Sequence, residues 1–96
     1  MKFEWDVQKA RSNLSKHCIS FELAITVFDD PFALIAPDDK HSVSEDREWI
    51  IGKSDSGVLV VVFTKRERGK ILRIISARRA NKRERELYEQ YKRISI

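Results

Sequence analysis

Residues 57–79 read GVLVVVFTKRERGKILRIISARR, and this stretch decides the fold. Val58–Phe63 is an unbroken apolar run, the pattern of a central strand buried on both faces. Glu67-Arg68-Gly69 supplies a turn, and Ile71–Ala77 pairs back. Upstream, Ser54-Asp55-Ser56-Gly57 is a second turn signal, placed behind an earlier run, Arg47–Lys53, that carries Trp49, Ile50 and Ile51. Connections this short make the three strands an antiparallel meander.

Working outward, Met1–Trp5 reads as a short strand. Asp6 is a good N-cap, because its carboxylate can accept free amide hydrogens of the next turn. Val7, Ala10, Leu14 and His17 then recur at helical spacing and predict a first helix to about His17. Ser20 caps a second helix whose apolar stripe is Phe21, Ala24, Ile25 and Phe28. Asp29-Asp30-Pro31 ends it, since proline disfavours helical backbone in the residue before it. Phe32–Ala36 is a short strand candidate and Pro37–Asp46 a polar loop. Downstream, Asn81 with Glu84 forms a capping-box variant for a final helix, with Leu87 and Tyr91 as its expected inward positions. The predicted order is β-α-α-β-β-β-β-α. The class is α+β: an antiparallel sheet with an N-terminal helix pair packed on it and a C-terminal helix, expected as one domain over residues 1–96.

Charge divides the chain unevenly. Residues 1–64 carry 7 Lys/Arg against 11 Asp/Glu, whereas residues 65–96 carry 12 Lys/Arg against 4 Glu. The last third therefore makes a positive field able to gather a polyanion, or else forms a solvated basic helix with internal Glu–Lys pairs. The single Cys18 cannot form an internal disulfide, and no spacing of ligands suggests a metal or other cofactor. Met1–Asp6 carries acids where a secretion signal needs an apolar run, and no stretch approaches membrane-spanning length. A soluble, cytoplasmic protein is expected, with no membrane partner.

Several stretches, in order, resemble the BrnT toxin family: Phe3-Glu4-Trp5-Asp6; Lys9-Ala10 with Asn13 and Lys16-His17; Ser20-Phe21-Glu22; Phe28-Asp29-Asp30-Pro31; Arg47; Gly52; the Val-rich strand ending in Thr64 and Arg66; Arg73-Ile74-Ile75-Ser76-Ala77-Arg78 with Ala80; and Glu84-Arg85 with Tyr88. The match spans nearly the whole chain at consistent spacing. The resemblance implies a RelE-like ribonuclease fold and a type II toxin that cleaves RNA without a metal and arrests translation. It also implies a BrnA-type ribbon-helix-helix antitoxin, with operator DNA bound only through that antitoxin. One departure is Cys18, where such sequences often hold glycine. A Cβ there costs about 1 kcal/mol if the turn stays left-handed.

Metal-free RNA cleavage makes the 2′-hydroxyl attack its neighbouring phosphorus. A protein helps by taking that proton, by stabilising phosphate charge and by protonating the departing 5′-oxygen. Arginine suits the second task, because its planar fork gives two parallel hydrogen bonds and keeps its charge. Strand register shows where arginines collect. If Ser54–Gly57 is the turn, Lys53 opposes Val58 and Arg47 falls opposite Thr64. If Arg68-Gly69 is a two-residue loop, Glu67 opposes Lys70 and Arg73 also falls opposite Thr64. Same-face parity then gathers Arg47, Thr64, Arg66 and Arg73 into a phosphate cradle, with Arg66 read as the catalytic arginine. A three-residue turn would send Arg73 to the opposite face.

The remaining candidates follow from position. Arg78 and Arg79 fall about 25 Å away at the far end of the ladder, at about 3.3 Å per residue, too far to bind the same phosphate as Arg66. With Arg83 they read as RNA-tracking or partner-docking charges. The final helix brings Tyr88 and Tyr91 back about 10–15 Å, where a tyrosine could stack on a base or donate a proton; core anchoring is the plainer role for both. His17 is the general-base candidate by its ordinary pKa, though capping the helix C-terminus is the preferred reading. Arg47 and Arg73 could instead bridge to Glu48, Glu84 or Glu86, and Thr64 could be an ordinary strand-edge residue. The competing function is a non-catalytic basic module, a decayed toxin that binds RNA or antitoxin only.

Overall fold

The computed structural model describes residues 1–39 and 46–95. His41 and most of the expected Pro37–Asp46 loop lie outside the described residues. In chain order the elements are β1 (Lys2–Trp5), α1 (Val7–His17), α2 (Phe21–Ala24) running into a 3₁₀ turn at Ile25–Asp29, β2 (Leu34–Pro37), β3 (Arg47–Ser54), β4 (Gly57–Arg66), β5 (Ile71–Arg79) and α3 (Lys82–Ser95). The class and element order are those expected. Among the described residues the strands form one five-stranded sheet, β1-β5-β4-β3-β2, antiparallel except where β1 runs parallel to β5.

Local chemistry sets the boundaries. Asp6 accepts the Lys9 amide at 3.0 Å and starts α1; Ser20 does the same for Leu23 at 3.0 Å and starts α2. Between them Cys18 does adopt the left-handed conformation, at φ 58°, and its amide donates to the Leu14 carbonyl as glycine's would. The capping box forms in both directions, Glu84 N–H to Asn81 Oδ1 at 2.8 Å and Asn81 N–H to Glu84 Oε1 at 2.9 Å.

Both turns produce the expected registers. Lys53 pairs with Val58 and Arg47 with Thr64, while Arg66 pairs with Ile71 and Thr64 with Arg73. The β4–β5 ladder then slips: Phe63 faces Ile74, but Val62 faces Ser76, leaving Ile75 as an extra residue. Side-chain parity inverts across this bulge. Ser76 and Arg78 turn to the face that holds Arg73, and Ala77 turns into the core.

The sheet separates two apolar clusters. One face packs Ile50, Leu59, Val61, Phe63, Leu72, Ile74 and Ala77 against Ile19, Phe21, Ala24 and Val27 of the helical segment. Phe28 bridges Phe3 and Phe63 there, with ring centroids at 5.2 and 5.1 Å. Gly52 lies where the 3₁₀ turn comes closest: a Cβ at this position would stand 3.0 Å from Val27 Cβ and 3.1 Å from the Val27 carbonyl oxygen. α1 contributes a polar anchor rather than the expected apolar stripe. Val7 and Leu14 are exposed, whereas the buried Asn13 side chain donates to the carbonyls of Ile19 and Ala77 and accepts the Ala77 amide. β1 pairs with β5 only from Ile71 to Ile74, so Asn13 supplies to Ala77 the two hydrogen bonds that a longer β1 would have made.

The opposite face is covered over part of its area by α3, above Ile51 and Val60. The inward residue is Tyr88, 1% exposed, not the expected Leu87 and Tyr91, which are 45% and 49% exposed. Its hydroxyl donates to Asp30 Oδ2 at 2.6 Å, and the same carboxylate accepts the Lys53 and Phe32 amides. A large ring with a polar tip fits this seam better than leucine, because Asp30 needs a third donor.

Candidate active site

α3 crosses the strands from Arg78 on β5 to Phe32, and on the part of this face that it leaves open the strands present one transverse row of side chains. Glu4 on β1 neighbours Arg73 on β5; Arg73 faces Thr64 on β4; Thr64 faces Arg47 on β3. Adjacent strands lie about 4.8 Å apart, so the row is about 15 Å long. Arg66 is two residues farther along β4 on the same face, next to the turn.

An acid sits inside the expected cluster of cations. Glu4 Oε2 accepts from Arg73 Nη1 at 2.7 Å and lies 3.8 Å from Arg66 Nε. Half-burial of Arg73 and Glu4 and the direct hydrogen bond make this the tighter pair. Thr64 is buried, and its hydroxyl donates to the Asp46 carbonyl at 2.7 Å, so it holds the start of β3, and with it Arg47, in place. Arg47, Arg66 and Arg73 thus share one face and one end of the sheet.

Next to this row is an open hollow of about 700 Å³, with Arg47, Trp49, Val62, Ser76, Arg78 and Leu87 among its walls. The bulge at Ile75 builds it, by putting Ser76 and Arg78 on this face. Arg78 therefore lies one position nearer the row: it pairs with Val60, about 13 Å from Thr64, where an uninterrupted ladder would put it opposite Leu59. Its guanidinium grips Glu84 through two parallel bonds of 2.7 and 2.8 Å. That bond holds the Glu84 carboxyl below its ordinary range and raises Arg78 above its own, the charge pairing adding to both effects and burial opposing them.

The other candidates are dispersed. Arg79 has the opposite parity to Arg78 and donates to the Ser56 carbonyl at 2.6 Å, pinning the β3–β4 turn. Arg83 and Tyr91 are exposed on α3. Tyr88 is enclosed between α3 and the sheet, and burial, followed by the Asp30 hydrogen bond and charge, pushes its phenol well above the ordinary tyrosine value. For Asp30, burial acts upward, but the hydrogen bonds from Tyr88, Lys53 and Phe32, with the Lys92 charge, outweigh it and hold the carboxyl low. His17 ends α1, which packs on β5 from the helix-covered side of the sheet. The sheet therefore separates its imidazole from the arginine row.

Three site features escaped the sequence reading. Glu4 had a usable signal, since Phe3 and Trp5 alternate with it and point to the core. Its neighbours did not, because parallel pairing of β1 with β5 leaves no turn to count. Trp49 and Ser76 join the site through the hollow, and Ser76 does so only through the bulge. Among the described residues no group of three or more His, Cys, Asp or Glu is placed to hold a metal ion, and no helix is long and apolar enough to cross a membrane.

Comparison with curated proteins finds no match. The profile described as ribonuclease toxin, BrnT, of type II toxin–antitoxin system matches residues 5–84, which takes in every strand of the meander, the bulge and the first turn of α3. The chain belongs to the BrnT family of type II toxin–antitoxin ribonuclease toxins.

Proposed function

We propose that this toxin cuts RNA by in-line attack of the 2′-hydroxyl on the adjacent phosphorus, with arginines rather than a metal ion carrying the charge of the transition state. The observation that carries the reading is the row itself: Arg73 and Arg47 flank Thr64 on neighbouring strands, and Arg66 lies beside them. A phosphodiester over Thr64 is within reach of two or three guanidinium forks, and fixed donors around a developing oxyanion are the strongest aid a protein can give this reaction. Arg66, the more exposed of the pair around Glu4, is the arginine assigned to the scissile phosphate. A nucleoside beside that phosphate would enter the hollow, where Trp49 offers a stacking surface and Arg78 a second cation. Arg79, Arg83 and Tyr91 lie outside this centre and would act on flanking RNA or on the antitoxin. His17 and Tyr88 have no part in the chemistry proposed: one is across the sheet, and the other is enclosed with its hydroxyl on Asp30.

The partner proposed is a BrnA-type ribbon-helix-helix antitoxin that covers the open face and carries the complex to operator DNA. The family supports an antitoxin; its ribbon-helix-helix type rests on the resemblance of the sequence.

The test is cleavage of a defined RNA in excess EDTA. Wild type should leave 2′,3′-cyclic phosphate and 5′-hydroxyl ends, and Arg66→Ala should be slower by about 10²–10³-fold, as expected for loss of one oxyanion donor. One observation favours a second reading, a binding module without catalysis: Arg73 and Arg78 are already held by carboxylates in the free protein. Salt-dependent RNA binding that leaves the RNA intact under the same conditions would establish it.

A further inference from the structure

We infer that Glu4 is the general base of the cleavage, the group that takes the proton of the attacking 2′-hydroxyl. The proposal rests on the ribonuclease reading above and adds the element it lacks. A carboxylate in a phosphate-binding cradle repels the substrate. Accepting a proton during the reaction gives it a use there that offsets this repulsion. Glu4 is held at that position by Arg73 Nη1 at 2.7 Å and Arg66 Nε at 3.8 Å, with Lys2 two residues away on the same face of β1. A phosphate engaging the same two guanidinium groups therefore lies within one guanidinium's width of the carboxylate, the separation that links the 2′-oxygen of a ribose to its own 3′-phosphate. Glu4 remains about one-third exposed at the open face, so a ribose can reach it.

The carboxylates that line the hollow stand away from the Arg66–Arg73 pair. Glu84 is gripped by Arg78 and by the Asn81 amide, at the far side of the hollow. Asp38 and Asp39 stand at the β2 side, beyond Arg47. His17 is on the other side of the sheet. In the proposed step the 2′-O–H bond breaks with its proton passing to the Glu4 carboxylate, while the O2′–P bond forms. The P–O5′ bond then breaks, its electron pair leaves on the 5′-oxygen, and water protonates that oxygen. Glu4 afterwards returns its proton to solvent, so no other reactant is needed.

A purely structural Glu4 would serve as counter-ion to Arg73 and Arg66, and Glu4→Gln separates the two roles. Glutamine keeps the shape and an oxygen to accept from Arg73 but cannot take a proton at neutral pH. As general base, its replacement should lower kcat by about 10²–10⁴-fold with KM little changed. The acid limb of the pH profile should vanish, and an oligonucleotide with 2′-deoxyribose at the cut site should bind at least as tightly as to wild type. Near-normal kcat with the acid limb intact in Glu4→Gln would overturn the proposal, as would weaker binding with unchanged kcat. Glu4→Asp, which keeps the carboxylate but shortens its reach, should retain the acid limb at a reduced rate. If wild type itself leaves RNA uncut while Glu4→Gln still binds it, the ribonuclease reading has failed, and this one with it.

Discussion

The two faces of the sheet follow opposite rules. On the helix-covered face the strands contribute the apolar side chains of the core, and the buried Asn13 of α1 has its amide bonded to Ile19 and Ala77. Beyond α3 the other face presents Glu4, Arg73, Thr64 and Arg47 in a row, with charges close together and half open to water. Glu4 offsets part of the charge of Arg47, Arg66 and Arg73, and the positive excess that remains raises the energy of the folded state. The two faces share strands: Phe63 points inward and Thr64, the next residue, outward. Period-two alternation lets one strand supply both a core and a site, so the two properties can be perturbed separately.

Substitutions in adjacent rows on opposite faces should separate stability from activity. Phe63→Ala should lower unfolding free energy by about 3–5 kcal/mol, because the ring is fully buried and touches Phe28. Arg73→Ala should cost less than about 1 kcal/mol, since its ion pair is partly exposed, yet it should strongly reduce RNA cleavage. Denaturant titrations of both variants, read beside cleavage rates per folded molecule, check this. A large stability loss in Arg73→Ala would show that the open face is structural after all.

Asn13→Ala should have the next largest effect, about 2–3 kcal/mol. It strands the Ala77 amide and carbonyl on a sheet edge that β1 does not reach, together with the Ile19 carbonyl. Hydrogen exchange should show the loss locally, as faster exchange of the Ala77 amide relative to amides in the β3–β4 ladder.

The meander was legible in the sequence because its turns are short and its strands long. Two turn assignments fixed which residues oppose Thr64, and parity did the rest. The bulge was hidden by composition: Ile74 and Ile75 are both apolar, so either can serve as the buried member and the pattern does not mark the slip. Placing Arg78 in the hollow depends on that slip. Glu4 was hidden by topology, since its contact with Arg73 spans 69 positions with no local signal. On α3, the expected stripe of Leu87 and Tyr91 competed with Tyr88 one residue away. Periodicity alone could not choose between these faces, and the decision came from a distant carboxylate, Asp30.

That carboxylate joins the segment after the 3₁₀ turn to α3. Tyr88→Phe keeps the ring and removes one donor, leaving Asp30 with the Lys53 and Phe32 amides, so a loss of about 1–2 kcal/mol is expected near neutral pH. Its pH dependence has a definite sign at each end. Asp30 has a lowered pKa in the folded chain, so its contribution is present above the unfolded value of about 4 and fades as pH falls through the folded one. Tyr88 has a raised pKa, so its contribution is complete below about 10 and is lost as pH rises through the folded value. The stability gap between wild type and Tyr88→Phe should therefore be widest between about pH 5 and 9 and narrow on both sides. Denaturation midpoints measured across that range provide the check; a gap independent of pH would mean that the Tyr88–Asp30 bond does not set the position of α3, and that packing on Ile51 and Val60 alone decides how much of the sheet stays open.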